Sequence, residues 1–111
     1  MRLLIALIAI LAVLFVTGCS LKPTPEVPCD TYDTASQRNE CQFNLSVRKL
    51  DASGCTDILN DKMRQDCIDE IAIRVLDIYP CRMQDKMVKR DACENKVSEA
   101  KRKAKEAAAN P

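Results

Sequence analysis

Six cysteines stand in a ladder: Cys29, Cys41, Cys55, Cys67, Cys81 and Cys93, separated by 12, 14, 12, 14 and 12 residues. That alternation is a 26-residue repeat carried three times, with two cysteines per unit. Repeats of this length signal stacked supersecondary units. The units align without gaps as residues 29–54, 55–80 and 81–106. Nine residues after each first cysteine stand Arg38, Arg64 and Arg90. Four residues after each second cysteine stand Leu45, Ile71 and Val97, and Asp51 corresponds to Asp77. The residue before each first cysteine is Pro28, Gly54 or Pro80, which are helix-boundary residues.

The second half of each unit reads as helix. In unit two, Cys67, Ile71, Val75 and Ile78 recur at helical spacing, widened by Ile68, Ala72 and Leu76. Asp69, Glu70, Arg74 and Asp77 are expected on the opposite, solvated face, giving an amphipathic helix of about four turns. The first half of each unit is short. Asn60-Asp61 reads as turn and helix cap, with Asp33-Thr34 and Asp85-Lys86 as weaker candidates.

Pairing of the cysteines follows from how a unit folds. In a helical hairpin, residues equidistant from the turn face each other. The midpoints between paired cysteines are Ala35, Asp61 and Met87, so Cys29 meets Cys41, Cys55 meets Cys67, and Cys81 meets Cys93. The alternative is a three-helix bundle with one continuous helix per unit. Twelve helical residues span about 18 Å, far beyond the Cα separation of a disulfide, so pairs would have to cross between helices. Up-down packing leaves Cys55 without a partner at its end. The expected fold is therefore all-α, with three disulfide-stapled hairpin repeats in a short α-solenoid. Each staple closes a loop of about a dozen residues and is worth about 2–4 kcal/mol, so each unit is expected to fail separately when its own pair is reduced.

Composition supports covalent staples. Tryptophan is absent and aromatics make up 4% of the chain, so a domain this small builds a marginal core. Zinc sites favour close cysteine pairs, usually with histidine. Here no two of the six cysteines are closer than 12 residues and histidine is absent. No metal, haem or other cofactor is expected. Without histidine there is no base that titrates near neutral pH. Gly18 and Gly54 are the only glycines, so no phosphate-binding loop is present. No catalytic residue emerges, and an enzyme is not expected. The formal net charge of +1 gives no reason to expect nucleic acid.

Leu3 to Val16 is an unbroken apolar run behind Arg2, ending in Val16-Thr17-Gly18-Cys19. At 14 residues the run is short for a membrane span, which needs about 20, and it suits a secretion signal. The four-residue ending resembles a prokaryotic lipobox: an aliphatic residue, a small residue, glycine, cysteine. The resemblance implies that residues 1–18 are removed, that Cys19 carries lipid, and that the remaining chain lies outside the cytoplasm. If the cell has an outer membrane, Ser20 after the cysteine favours export to it. Assigning Cys19, the seventh cysteine, to lipid leaves an even, pairable six. Residues 19–28 hold Pro23, Pro25 and Pro28, a stiff extended spacer.

The whole chain thus resembles a small prokaryotic surface lipoprotein with a cysteine-paired helical repeat domain. The expected function is a structural or protein-interaction module of the cell envelope, held to the membrane through Cys19 and docking a protein partner. The alternative is a binder of anionic envelope lipid or polymer. Its candidate residues are the repeat arginines Arg38, Arg64 and Arg90 and the basic cluster Lys101, Arg102, Lys103 and Lys105, just ahead of a 107–111 tail. For the arginines, a turn-covering role is the competing reading.

Overall fold

A computed structural model of the chain describes residues 26–110. The apolar run, the lipobox with Cys19, and most of the spacer lie outside the described residues. Three α-helices are present: α1 (Ala35–Lys49), α2 (Asp61–Val75) and α3 (Met87–Ala109). Each follows a short 3-10 segment: Cys29–Thr31, Ala52–Asp57 and Tyr79–Met83. The described residues contain no strand. The fold is all-α, built of three disulfide-stapled helical repeats. The bonds are Cys29–Cys41, Cys55–Cys67 and Cys81–Cys93, with Cα separations of 5.5, 5.8 and 5.6 Å. In each unit the short segment is one arm and the helix is the other. The helices begin at Ala35, Asp61 and Met87, the midpoints between the paired cysteines.

Local chemistry explains the helix starts. Thr34 Oγ1 accepts the Gln37 N–H while Gln37 Oε1 accepts the Thr34 N–H, a reciprocal capping box. Asn60 Oδ1 accepts the Met63 N–H at 2.9 Å. Lys86, at the third start, offers no side-chain cap.

The helix ends also repeat. Leu50 and Leu76, one unit apart, both adopt left-handed backbone with φ of 53°. Leu50 N–H donates to the Val47 carbonyl and Asp51 N–H to that of Ser46. Leu76 and Asp77 repeat this to Ile73 and Ala72. These are Schellman stops, normally made with glycine. Leucine there costs about 1 kcal/mol. The aspartate that follows turns the chain back: Asp51 Oδ1 accepts the Ser53 N–H and Asp77 Oδ1 the Tyr79 N–H, both at 3.0 Å. The matching positions in unit three are Arg102 and Lys103, and α3 runs through them to Ala109.

This stop corrects the apolar stripe read for unit two. Helix α2 ends at Val75, and Val75, Leu76 and Ile78 are exposed because the chain reverses there. The buried face is Cys67, Ile68, Ile71 and Ala72. Asp69, expected in solvent, is 4% exposed.

The three helices run in the same direction, side by side. Lys89 near the start of α3 pairs with Asp61 at the start of α2, and Lys96 pairs with Asp69 farther along both helices. Asn39, early in α1, accepts the Leu59 N–H just before α2 begins. The segments 52–57 and 79–83 return the chain, each lying against the helix before it and the helix after it. Helices α1 and α3 do not touch. The array is therefore open, a short α-solenoid rather than a closed bundle.

One buried cluster runs from Val47 and Ala52 through Cys55, Ile58, Cys67, Ile68, Ile71 and Ala72 to Cys81, Cys93 and Val97. Fully burying residues such as Ile58, Ile68, Ile71 and Val97 contributes about 1.5–3 kcal/mol each. All three units feed this cluster. The units share one core centred on unit two, so their apolar packing is continuous and not confined to each unit.

Candidate functional site

The repeat arginines share one geometry. Arg38 Nη1 donates to the Tyr32 carbonyl at 2.7 Å, Arg64 Nη1 to that of Ile58 at 2.9 Å, and Arg90 Nε to that of Gln84 at 2.9 Å. Each ties down the carbonyl six residues earlier, on the turn between the short segment and the helix. Arg64 Nη2 also bonds Asp61 at 2.7 Å. The stack brings the arginines to the start edge of the three helices, each already holding its own turn.

Helices α1 and α2 flank a groove. Phe43 and Met63, both half-buried, form its apolar floor, and Glu40, Asn44, Asn60, Lys62 and Asp66 line its rim. Lys62 bonds Asp66 across one helical turn. The matching seam between α2 and α3 is polar. There Asp69 replaces Phe43 and Lys89 replaces Met63. Asp69 accepts Gln84 Nε2 at 3.0 Å on one oxygen and Lys96 Nζ at 2.5 Å on the other. The Lys89 side chain, only 14% exposed, reaches Asp61 at 2.9 Å and Asp85 at 3.0 Å. Hydrogen bonding to Lys89 holds both carboxyls below the usual range, and the pair of carboxylates raises the lysine. The unit two–three seam is thus filled and closed, while the unit one–two seam keeps an open apolar groove.

The outer ends of the stack also differ. On α3 the positions matching the seats used by return segments on α1 and α2 are Glu94, Ser98 and Glu99, a polar face that ends the repeat. At the other end, Tyr32 and Val27 lie beside the half-buried Cys29–Cys41 bond and Leu45. Glu26 reaches Arg48 Nη2 at 2.7 Å and Lys49 Nζ at 3.0 Å, fixing where the spacer enters the domain. The Lys49 bond leads in holding the Glu26 carboxyl below its ordinary value.

Lys101, Arg102, Lys103 and Lys105 are exposed on the last turns of α3. Arg102 pairs with Glu106 at 2.6 Å and Lys103 with Glu99 at 2.9 Å. Lys101 and Lys105 make no ion pair among the described residues. Cys19 lies outside the described residues. No helix among the described residues is long and apolar enough to cross a membrane. The three disulfides mark an oxidising, extracytoplasmic compartment.

The sequence reading missed the Asp69–Gln84–Lys96 network, the Lys89 clip and the Phe43–Met63 groove. A signal for the first was available: Asp69 sits between Ile68 and Ile71 on the apolar side of its helix. Comparison of the chain with protein-family models, curated proteins and solved structures finds no match.

Proposed function

We propose that this is a small lipoprotein held to the cell membrane through Cys19, acting as a structural or protein-interaction module of the cell envelope. The observation that carries the reading is the contrast between the two seams. One is closed by its own ion pairs, and the other leaves Phe43 and Met63 beneath an open groove. A half-buried apolar floor with a charged rim suits an amphipathic segment of a partner protein. Six cysteines are spent in disulfides and the repeat arginines hold turns.

Two measurements test this. Cys19→Ser should abolish the acyl mass on the mature chain and move the protein out of the detergent phase; unchanged mass and partitioning would refute the anchor. A photo-crosslinking side chain at Asn44, on the groove rim, should give a discrete protein adduct in intact cells. The same side chain at Ser98, on the polar outer face of α3, should give none. Equal labelling from both positions would refute the groove as the docking site.

The second reading is a binder of anionic envelope lipid or polymer. It is favoured by the exposed Lys101 and Lys105 on the projecting end of α3, and less by Arg38, Arg64 and Arg90. Binding of that kind weakens steeply as salt rises, whereas apolar docking in the groove does not.

A further inference from the structure

Three features gather on one edge of the stack. The helices are parallel, so their C-terminal ends share an edge. Leu50 and Leu76, forced outward by their left-handed stops, are 48% and 38% exposed there, and Tyr79, two residues past the Asp77 turn, is 63% exposed. Arg82 lies over the Tyr79 ring, 5.6 Å from its centre. Glu26, the point where the spacer joins the domain, is clamped to Arg48 and Lys49 at the end of α1. Helix α3 passes the level at which α1 and α2 stop, carrying Lys101, Arg102, Lys103 and Lys105. Its last seven residues project about 10 Å at 1.5 Å per residue.

We propose that this edge rests on the anionic bilayer to which Cys19 is attached, with Tyr79 and the two leucines at headgroup depth and the α3 lysines against lipid phosphates. The inference rests on the lipid-anchor reading above. Seven residues separate Cys19 from Glu26, at most about 25 Å of chain, so the tether joins the domain at this edge and keeps it within reach of the surface. Aromatic rings favour the headgroup level, and basic residues add about 1 kcal/mol each at an anionic surface. Of the acidic groups on the edge, Glu99, Glu106 and Glu26 pair with basic side chains, while Asp51 and Asp77 accept N–H groups and keep their charge. The polymer-binding alternative uses the same lysines but gives Tyr79 no reason to enter lipid.

The chain has no tryptophan, so one substitution creates a unique reporter. Full-length Tyr79→Trp and, as the control at the start edge, Met87→Trp are purified from membranes. Each is reconstituted into phosphatidylglycerol vesicles whose acyl chains carry bromine. Unchanged disulfide maps verify the fold of both variants. Both proteins should float with the vesicles. Bromolipid should quench Tyr79→Trp emission roughly twofold, since interfacial aromatics sit near the acyl boundary, and leave Met87→Trp unchanged. Adding Lys101→Glu, Lys103→Glu and Lys105→Glu should reduce the quenching at position 79. Flotation without quenching at 79, or with quenching at 87 instead, overturns the edge while the anchor stands. Failure to float overturns both.

Discussion

The two seams between units are built on the same backbone plan from opposite chemistry. Where the return segment sits on the preceding helix, the first seam is polar. Gln42 Nε2 donates to the Gly54 carbonyl at 3.0 Å and to Ser46 Oγ at 3.3 Å. The second seam places Ile68, Ala72 and Pro80 at those positions, all buried. Between the helices the order reverses: Phe43 and Ile58 in the first seam become Asp69 and Gln84 in the second, and Glu70 becomes Lys96. What repeats acts on the backbone: the disulfide and the arginine on the carbonyl six residues back in all three units, the left-handed leucine and the aspartate after it in the first two. What varies is side-chain pairing, and that variation fixes the order of the units. Sliding one unit along the stack would set Asp69 against Ile58 or Gln84 against Phe43, an uncompensated polar burial costing about 1–3 kcal/mol.

The largest effects should come from crossing the two chemistries. Asp69→Leu removes one buried acceptor of Gln84 Nε2, which keeps its bond to the Gln65 carbonyl, and leaves the half-exposed Lys96 unpaired, so unfolding stability should fall by about 2–3 kcal/mol, read from the urea midpoint. Phe43→Asp with Ile58→Gln should cost a similar amount in the first seam. Adding Glu70→Lys, which completes the network of the second seam, should recover part of that loss. No recovery would mean that the seams differ in geometry and not only in side chains.

Gly54→Ala comes next. A Cβ there would lie 2.4 Å from Ser46 Oγ and 3.1 Å from Gln42 Nε2, and overpacking of this kind costs about 1–3 kcal/mol. The second seam seats the bulkier Pro80 at the position opposite Ala72, so Ser46→Ala should restore part of the loss in a Gly54→Ala background. A smaller effect is expected from the arginines. Arg64→Ala frees the Ile58 carbonyl and should cost about 1 kcal/mol, with Arg38→Ala, on an exposed turn, costing less.

The smallest effect is the share of the pH dependence that the Lys89 clip contributes at the second seam. Asp61 and Asp85 are held below the ordinary carboxylate range by Lys89, so their contribution is present at neutral pH. It is lost as pH falls through their lowered folded values. Lys89 is raised, so its contribution persists through the ordinary lysine range near about 10.4 and fades only above it. Lys89→Met should flatten the stability difference between neutral and acid pH, measured by urea midpoints. An unchanged acid dependence would remove the clip from the account.

Much of this was legible in the sequence because a repeat averages out local ambiguity. The cysteine midpoints coincide with the first residues of all three helices, and Asn60 and Thr34 cap where polar residues before a periodic run predict it. The early stop of α2 was hidden because leucine disfavours left-handed backbone, so nothing at Leu76 marked an end. Its recurrence at Leu50, followed each time by aspartate, was the available hint. Asp69 was misplaced because charge at the edge of an apolar stripe reads as solvent-facing unless its partners are known. Gln84 and Lys96 lie 15 and 27 residues away. The groove was invisible for the same reason: Phe43 and Met63 meet only through the stack.

The central claim is that every staple closes within its own unit, making three hairpins that stack in parallel. Peptide mapping without reduction tests it most directly, because Arg38, Lys49, Arg64, Arg74 and Arg82 allow trypsin to place all six cysteines on separate peptides. The account predicts three linked pairs, Cys29–Cys41, Cys55–Cys67 and Cys81–Cys93. A bond joining two units, such as Cys41–Cys67 or Cys67–Cys93, would contradict it.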